Sequence, residues 1–156
     1  MIVHCDGSCY YKDKRMGVGI AFFETGVLTP FRSEAITIVG LGSSNEAEYY
    51  AIIQALYIIY ASDEMQASTH ITINTDSELI FNQITGGYVC RDEGLKELLG
   101  EVLRLVKEIK NSKIWFNWVP RTDERQQIVD RLSKQANPYF SERVRQKGEA
   151  YKTKKK

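Results

Sequence analysis

A chain of 156 residues with 43% hydrophobic and 26% charged residues fits one domain built around one sizeable core. It holds no uninterrupted apolar run of about 18 residues, which argues against a membrane-spanning helix. The formal charge of +1 hides an asymmetry: from Arg143 to Lys156 there are seven basic residues and one acid, so the tail carries about +6 and the rest about −5.

Residues 1–10 read as a strand, with Met1, Val3 and Cys5 on one face and Ile2, His4 and Asp6 on the other. No basic stretch precedes Asp6, so a secretory signal is not expected, and the three cysteines are expected to be reduced thiols in a cytoplasmic setting. Cys5 and Cys9 on an extended chain lie about 13 Å apart, too far for one zinc ion, and read as structural thiols. After a polar turn, residues 17–23 (GVGIAFF) read as a second strand and 28–39 as a third, in an antiparallel meander.

Residues 45–60 read as a helix capped by Ser43 or Ser44, with Ala51, Ile52, Ala55 and Ile59 as its apolar stripe. A strand follows at 70–75, a short helix at 76–83 stopped by Gly86 and Gly87, and a long amphipathic helix marked by apolar residues from Leu95 to Ile109. An aromatic strand at 113–119 and a helix at 127–136 complete the order βββαβααβα. The expected architecture is α/β, a five-stranded mixed sheet with its first three strands antiparallel and helices on its faces. The expected division is a folded domain over 1–141 and a basic, flexible tail over 142–156.

Three acids bear on chemistry. Glu48 falls in line with the apolar stripe of its helix, where a carboxylate is costly unless paired or metal-bound. Its ordinary role would be to favour the helix dipole in the first turn. Asp6 and Asp76 each end an apolar strand, where acids commonly cap helices, and Asp76 before Ser77 has that reading too. Strand ends beside helix starts are also where α/β sheets place ligands. Acids converging from three neighbouring elements suit two-metal phosphoryl transfer, in which hard oxygen ligands neutralise two cations about 4 Å apart.

The runs Cys5-Asp6-Gly7-Ser8-Cys9, Ser44-Asn45-Glu46-Ala47-Glu48-Tyr49 and Thr75-Asp76-Ser77 resemble the first three motifs of type 1 ribonuclease H. Trp118-Val119-Pro120-Arg121 with Val129-Asp130-Arg131-Leu132 resembles the fourth, and the order holds across about residues 1–137. The resemblance implies the ribonuclease H fold and hydrolysis of the RNA strand of RNA–DNA hybrids to 5′-phosphate and 3′-hydroxyl ends. It implies two Mg²⁺ or Mn²⁺ ions on Asp6, Glu48, Asp76 and Asp130. It also carries over Gly7, Ser8, Ser44 and Asn45 as contacts to the hybrid, with Asn45 sensing a 2′-hydroxyl.

The sequence departs from the family pattern in three places. The loop before Asp130 has no histidine, so Arg121 or Arg125 is expected to contact the scissile phosphate or the product. Thr85-Gly86-Gly87-Tyr88 leads almost directly into the long helix, leaving no basic handle, as in compact bacterial and archaeal versions. Glu78 replaces the usual polar residue after Asp-Ser and would repel a nearby phosphate. The Lys-rich tail adds phosphate contacts or none at all.

The first expected function is thus a hybrid-specific endoribonuclease, a monomer, with double-stranded RNA as a second candidate substrate. The alternative is a catalytically weak or inactive module that binds hybrid or double-stranded RNA. Four mutually repelling carboxylates would serve such a module poorly. A resolvase or transposase core on the same fold is less expected in a chain of 156 residues.

Overall fold

The computed structural model describes residues 1–140, 142, 143 and 145–147. Strands β1 (Ile2–Cys9), β2 (Arg15–Phe23) and β3 (Arg32–Leu41) form the antiparallel meander. Helices α1 (Ser44–Tyr60) and α2 (Asp63–Gln66) lead to β4 (His70–Thr75). Then come α3 (Glu78–Thr85), α4 (Glu93–Glu108), β5 (Lys113–Trp118) and α5 (Glu124–Ala136). The sheet order is β3-β2-β1-β4-β5, with β4 parallel to both β1 and β5, so the mixed five-stranded sheet is as expected. No helix among the described residues is long and apolar enough to cross a membrane.

Both faces of the sheet are covered. Val3, Cys5, Val18 and Ile20 pack with the stripe Ala51, Ile52, Ala55 and Ile59 of α1 and with Val102 and Leu105 of α4. On the other face Ala21 and Phe23 meet Val129 of α5 in a smaller cluster. The alternation read in β1 is what sends Val3 and Cys5 to the first face and Ile2 and His4 to the second. Cys5 is fully buried, Cys9 donates its thiol to Gly42 O, and all three cysteines are free.

Several boundaries differ from the sequence reading, each for a local reason. The third strand starts at Arg32, not 28, because Pro30 lacks a donor and the chain turns first, with Phe31 N–H donating to Phe22 O. The last helix starts at Glu124, not 127, because Asp123 Oδ1 accepts from Gln126 N–H. The short helix runs 78–85, not 76–83: Ser77 is its cap, and Gly86 at φ 86° ends it. Helix α2 was not expected; Ser62 caps its single turn. Ser43, not Ser44, caps α1.

The segment after α5 returns to the hairpin between β1 and β2. Tyr139 stacks on Tyr10 at 3.4 Å between ring centroids, and Arg15 pairs with Glu142 at 3.2 Å. Residues 142, 143 and 145–147 are helical. The rest of the expected tail, with its lysines 152 and 154–156, lies outside the described residues.

Candidate active site

The parallel register sets the site. Ile2 pairs with Thr72 and His4 with Asn74, so continuing two residues brings Asp76 level with Asp6 on the next strand. Helix α1 crosses beside them because Gly7 has no side chain: a Cβ there would lie 2.2 Å from Ala47 C. Glu48 is thereby lowered onto β1, where the Gly7 backbone pulls its carboxyl down against the effect of burial. One oxygen each from Asp6, Glu48 and Asp76 lies within 4.8 Å of the others.

Supporting bonds hold this end of the sheet. Asp76 is free of capping, since Ser77 accepts from Ile80 N–H in its place. Trp118 Nε1 donates to Asp76 O and Val119 N–H to Thr75 O, fixing the turn after β4. Asn74, buried between strands, donates to Val3 O and accepts from Asn117 Nδ2. These bonds use up buried polar groups that would otherwise destabilise the strand ends.

Burial raises all three carboxyls above their ordinary range. Burial pushes the Asp6 carboxyl up to about 6, a hydrogen bond shared with Glu48 pulls it back, and the charge on Asp76 raises it further. Burial and the charge on Asp6 push Glu48 well above the usual carboxylate range. Asp76 is raised by burial, against the pull of Arg121. Glu48 Oε2 is sealed from solvent with no hydrogen-bond partner. A buried carboxylate oxygen without a donor is costly, and a divalent cation among three hard oxygens removes that cost, so the residues fit Mg²⁺ or Mn²⁺.

These shifts give a sign for pH dependence. The folded values lie above the unfolded ones, so the acids contribute stability that is fully present below about pH 4 and lost as pH rises through the folded values, near 6 for Asp6. Metal binds the ionised cluster and competes with protons. Added Mg²⁺ or Mn²⁺ should therefore raise Tm at about pH 7.5 and do much less at about pH 5. Thermal melts at the two pH values check this, and an equal response at both would remove the linkage.

Asp130 stands apart from the three. It lines the same cleft from α5, but its Oδ2 is ion-paired with Lys134 Nζ at 3.0 Å, one helical turn on. The two loop arginines separate as well. Arg121 is 90% exposed at the rim, 3.6 Å from Asp76 Oδ2. Arg125 turns away: its guanidinium donates twice to Val27 O and lies over the Phe23 ring. Gly7, Ser8 and Ser44 line the cleft, whereas Asn45 is half-buried at the start of α1 and is not among the lining residues. Ser8 Oγ donates to Ser133 O.

Two site residues escaped the sequence reading. Gln126, almost fully buried, donates to Cys5 O and lies 3.0 Å from His4 Nδ1, tying the first turn of α5 to β1. His4 is buried beneath that turn, with Phe23 edge-on, and burial lowers its pKa. Ser133 donates to Asp6 Oδ2 at 2.9 Å. The only available signal was that a glutamine and a serine fall on the inward face of a helix otherwise marked by Val129 and Ala136.

This sheet order, with one acid within β1, one just after the neighbouring β4 and a third on the first helix, defines a ribonuclease H-type α/β protein. The RNase H family model matches residues 1–137, and the chain belongs to that family. It is 30% identical over 133 residues to the uncharacterised protein YpeP of Bacillus subtilis (strain 168), covering 85% of this chain and 56% of that protein. The chain thus spans little more than half the length of that relative. LC11-RNase H1, isolated from compost by a metagenomic approach and solved with an RNA/DNA hybrid, is similar at 25% identity and TM-score 0.76, over 87% of this chain and 95% of that one. RNase H1 from the archaeon Halobacterium salinarum NRC-1 shares the fold at 23% identity and TM-score 0.74, over 86% and 95% of the two chains.

Proposed function

We propose that this chain hydrolyses the RNA strand of RNA–DNA hybrids to 5′-phosphate and 3′-hydroxyl ends, using two divalent ions held by Asp6, Glu48, Asp76 and Asp130. The observation that carries this reading is the convergence of three carboxylates within 4.8 Å in an open cleft, with Asp130 on its wall. When bound, Mg²⁺ or Mn²⁺ supplies Lewis acidity and neutralises the charge of the phosphodiester. That LC11-RNase H1 was solved with an RNA/DNA hybrid supports the choice of substrate.

The chain's own residues orient and balance charge. Gly7 lets α1 lie close enough for Glu48 to reach the cluster, and Ser133 holds Asp6. Arg121, exposed beside Asp76, is placed to take a non-bridging phosphate oxygen, and Lys134 faces the cleft beside Asp130. Ser44 and Asn45, at the start of α1, are the groups we assign to the sugar edge of the RNA, where a 2′-hydroxyl distinguishes it from DNA. The loop that lacks a histidine therefore relies on Arg121, not Arg125.

The test is cleavage of an end-labelled hybrid with Mg²⁺ and, separately, Mn²⁺, against single-stranded and double-stranded RNA. Metal-dependent cutting of hybrid RNA supports the reading, and cutting of the double-stranded control would widen the substrate class. A folded protein that binds hybrid and cuts nothing in either metal would leave only the binding module. The arginines give a second check. Arg121→Ala should lower the cleavage rate roughly tenfold, the worth of one charge-assisted contact of about 1.4 kcal/mol. Arg125→Ala should instead cost about 1–2 kcal/mol of stability, since it loses two bonds to Val27 O and its stack on Phe23. Unchanged turnover of Arg121→Ala would remove that role.

A further inference from the structure

Ser133 lies on α5 three residues past Asp130 and is fully buried. Its hydroxyl oxygen is 2.9 Å from Asp6 Oδ2 and 2.8 Å from the main-chain carbonyl of Asp130. A hydroxyl carries one hydrogen, so the two acceptors share it. Serines in helices often bond back to the carbonyl one turn earlier. Here the second acceptor is a carboxylate from the central strand, 127 residues away in sequence, and itself only 5% exposed.

Helix docking does not require that hydroxyl. Ser8 Oγ donates to the main-chain O of Ser133 at 2.9 Å, and Asn137 Nδ2 donates to Arg15 O at 2.9 Å and to Ser8 O at 3.3 Å. Gly17 and Gly19 let the helix backbone lie directly on β2: a Cβ on Gly19 would fall 2.2 Å from Val129 O. All of these contacts survive loss of the Ser133 side-chain oxygen. What that oxygen alone does is join one edge of Asp6 to the main-chain carbonyl of Asp130. Without that link the Asp6 carboxylate is free to rotate out of the orientation in which its oxygen lies within 4.8 Å of those of Glu48 and Asp76.

We propose that Ser133 is a positioning residue of the metal centre: its hydroxyl fixes the plane of the Asp6 carboxylate and ties it to the backbone of Asp130, so that the first and fourth acids keep one geometry. This rests on reading the cluster as a metal site. Ser133 touches neither substrate nor ion; it acts through Asp6, as the outer partners of metal ligands do.

The experiment is calorimetric titration of Mn²⁺ and Mg²⁺ into the full chain and its Ser133→Ala and Ser133→Thr forms, with melts of each and hybrid cleavage across a metal series. Ser133→Ala should bind metal about tenfold more weakly or worse. The metal needed for half-maximal cleavage should rise by the same factor, with the rate at saturating metal nearly kept. Ser133→Thr, which keeps the hydroxyl, should bind like the parent even if its added methyl lowers the melting temperature. Parent-like binding by Ser133→Ala overturns the proposal, and so does equal weakening in both variants, which would make bulk the cause. A parent that binds no metal overturns the metal-site reading and this one together. A parent that binds metal but cuts no hybrid overturns the proposed function alone, and Ser133 is then judged on binding.

Discussion

Asp6→Asn should abolish cleavage of hybrid RNA and, without metal, melt higher than the parent. Asp6 has an oxygen within 4.8 Å of oxygens of Glu48 and Asp76 and is almost fully buried. Losing one anionic ligand removes several kcal/mol of charge stabilisation at the reacting phosphate, on the order of a thousandfold in rate. The same change relieves a cost. The carboxyl is pushed up to about 6, so ionising it at neutral pH opposes folding by on the order of 2 kcal/mol. The neutral amide offers Ser133 an acceptor and removes repulsion from Asp76. The expected gain is about 5 °C in Tm at neutral pH, shrinking towards pH 4 where the parent acid is itself protonated. The metal-induced rise in Tm should vanish with it. An Asp6→Asn protein that still cuts hybrid, or that melts lower than the parent at neutral pH without metal, would show that the cluster does not work this way.

Gly7→Ala should be the most damaging single-methyl change near the site. A Cβ on Gly7 would stand 2.2 Å from Ala47 C, 2.3 Å from Ala47 O and 2.5 Å from Glu48 N. These are backbone atoms in the first turns of α1, so no side-chain rotation relieves the clash. The helix must lift off the strand, with the apolar stripe from Ala51 to Ile59 behind it. Overpacking of this kind costs about 3 kcal/mol or more, roughly 10 °C in Tm for a chain of this size. Metal affinity should fall as well, because lifting α1 carries Glu48 away from Asp6 and Asp76. Gly100→Ala is the contrast: within α4 a Cβ meets nothing within 4 Å, and the better helix former should add up to about 1 kcal/mol. Denaturant melts of both variants check the pair. A Gly7→Ala protein as stable as the parent would mean that α1 does not rest on the strand as described.

Much of this site was legible because its chemistry is local. Asp6 lies within one alternating strand, Asp76 follows another, and Glu48 sits on the stripe of an amphipathic helix; each position follows from a period of two or of 3.6 residues. The matching of four motifs in order then implied the family. Boundaries were less legible where a single side chain decided them. Asp123 and Ser77 outcompeted neighbouring candidates as helix caps, and Pro30 delayed the third strand. Because Ser77 caps α3, the Asp76 carboxylate is left free to join the cluster.

The sequence by itself determined the α/β class, the alternation that splits β1 between two cores, and which acids face inward, because these depend on residue spacing along single elements. Contacts between elements far apart in the chain were decided only by the tertiary structure. Arg121 and Arg125 are equivalent in the sequence, yet one faces Asp76 and the other is spent on Val27 O and Phe23. Asp130 resembles a fourth ligand by its motif, but that its carboxylate pairs with Lys134 on the wall of the same cleft is shown only by the structure. Ser133 reads as one polar residue on a helix, yet its hydroxyl reaches the carboxylate of Asp6. The physical reason is common to all three: a hydrogen bond or ion pair depends on a few tenths of an ångström and on the docking angle of α5, and no periodicity along the chain records where that helix comes to rest.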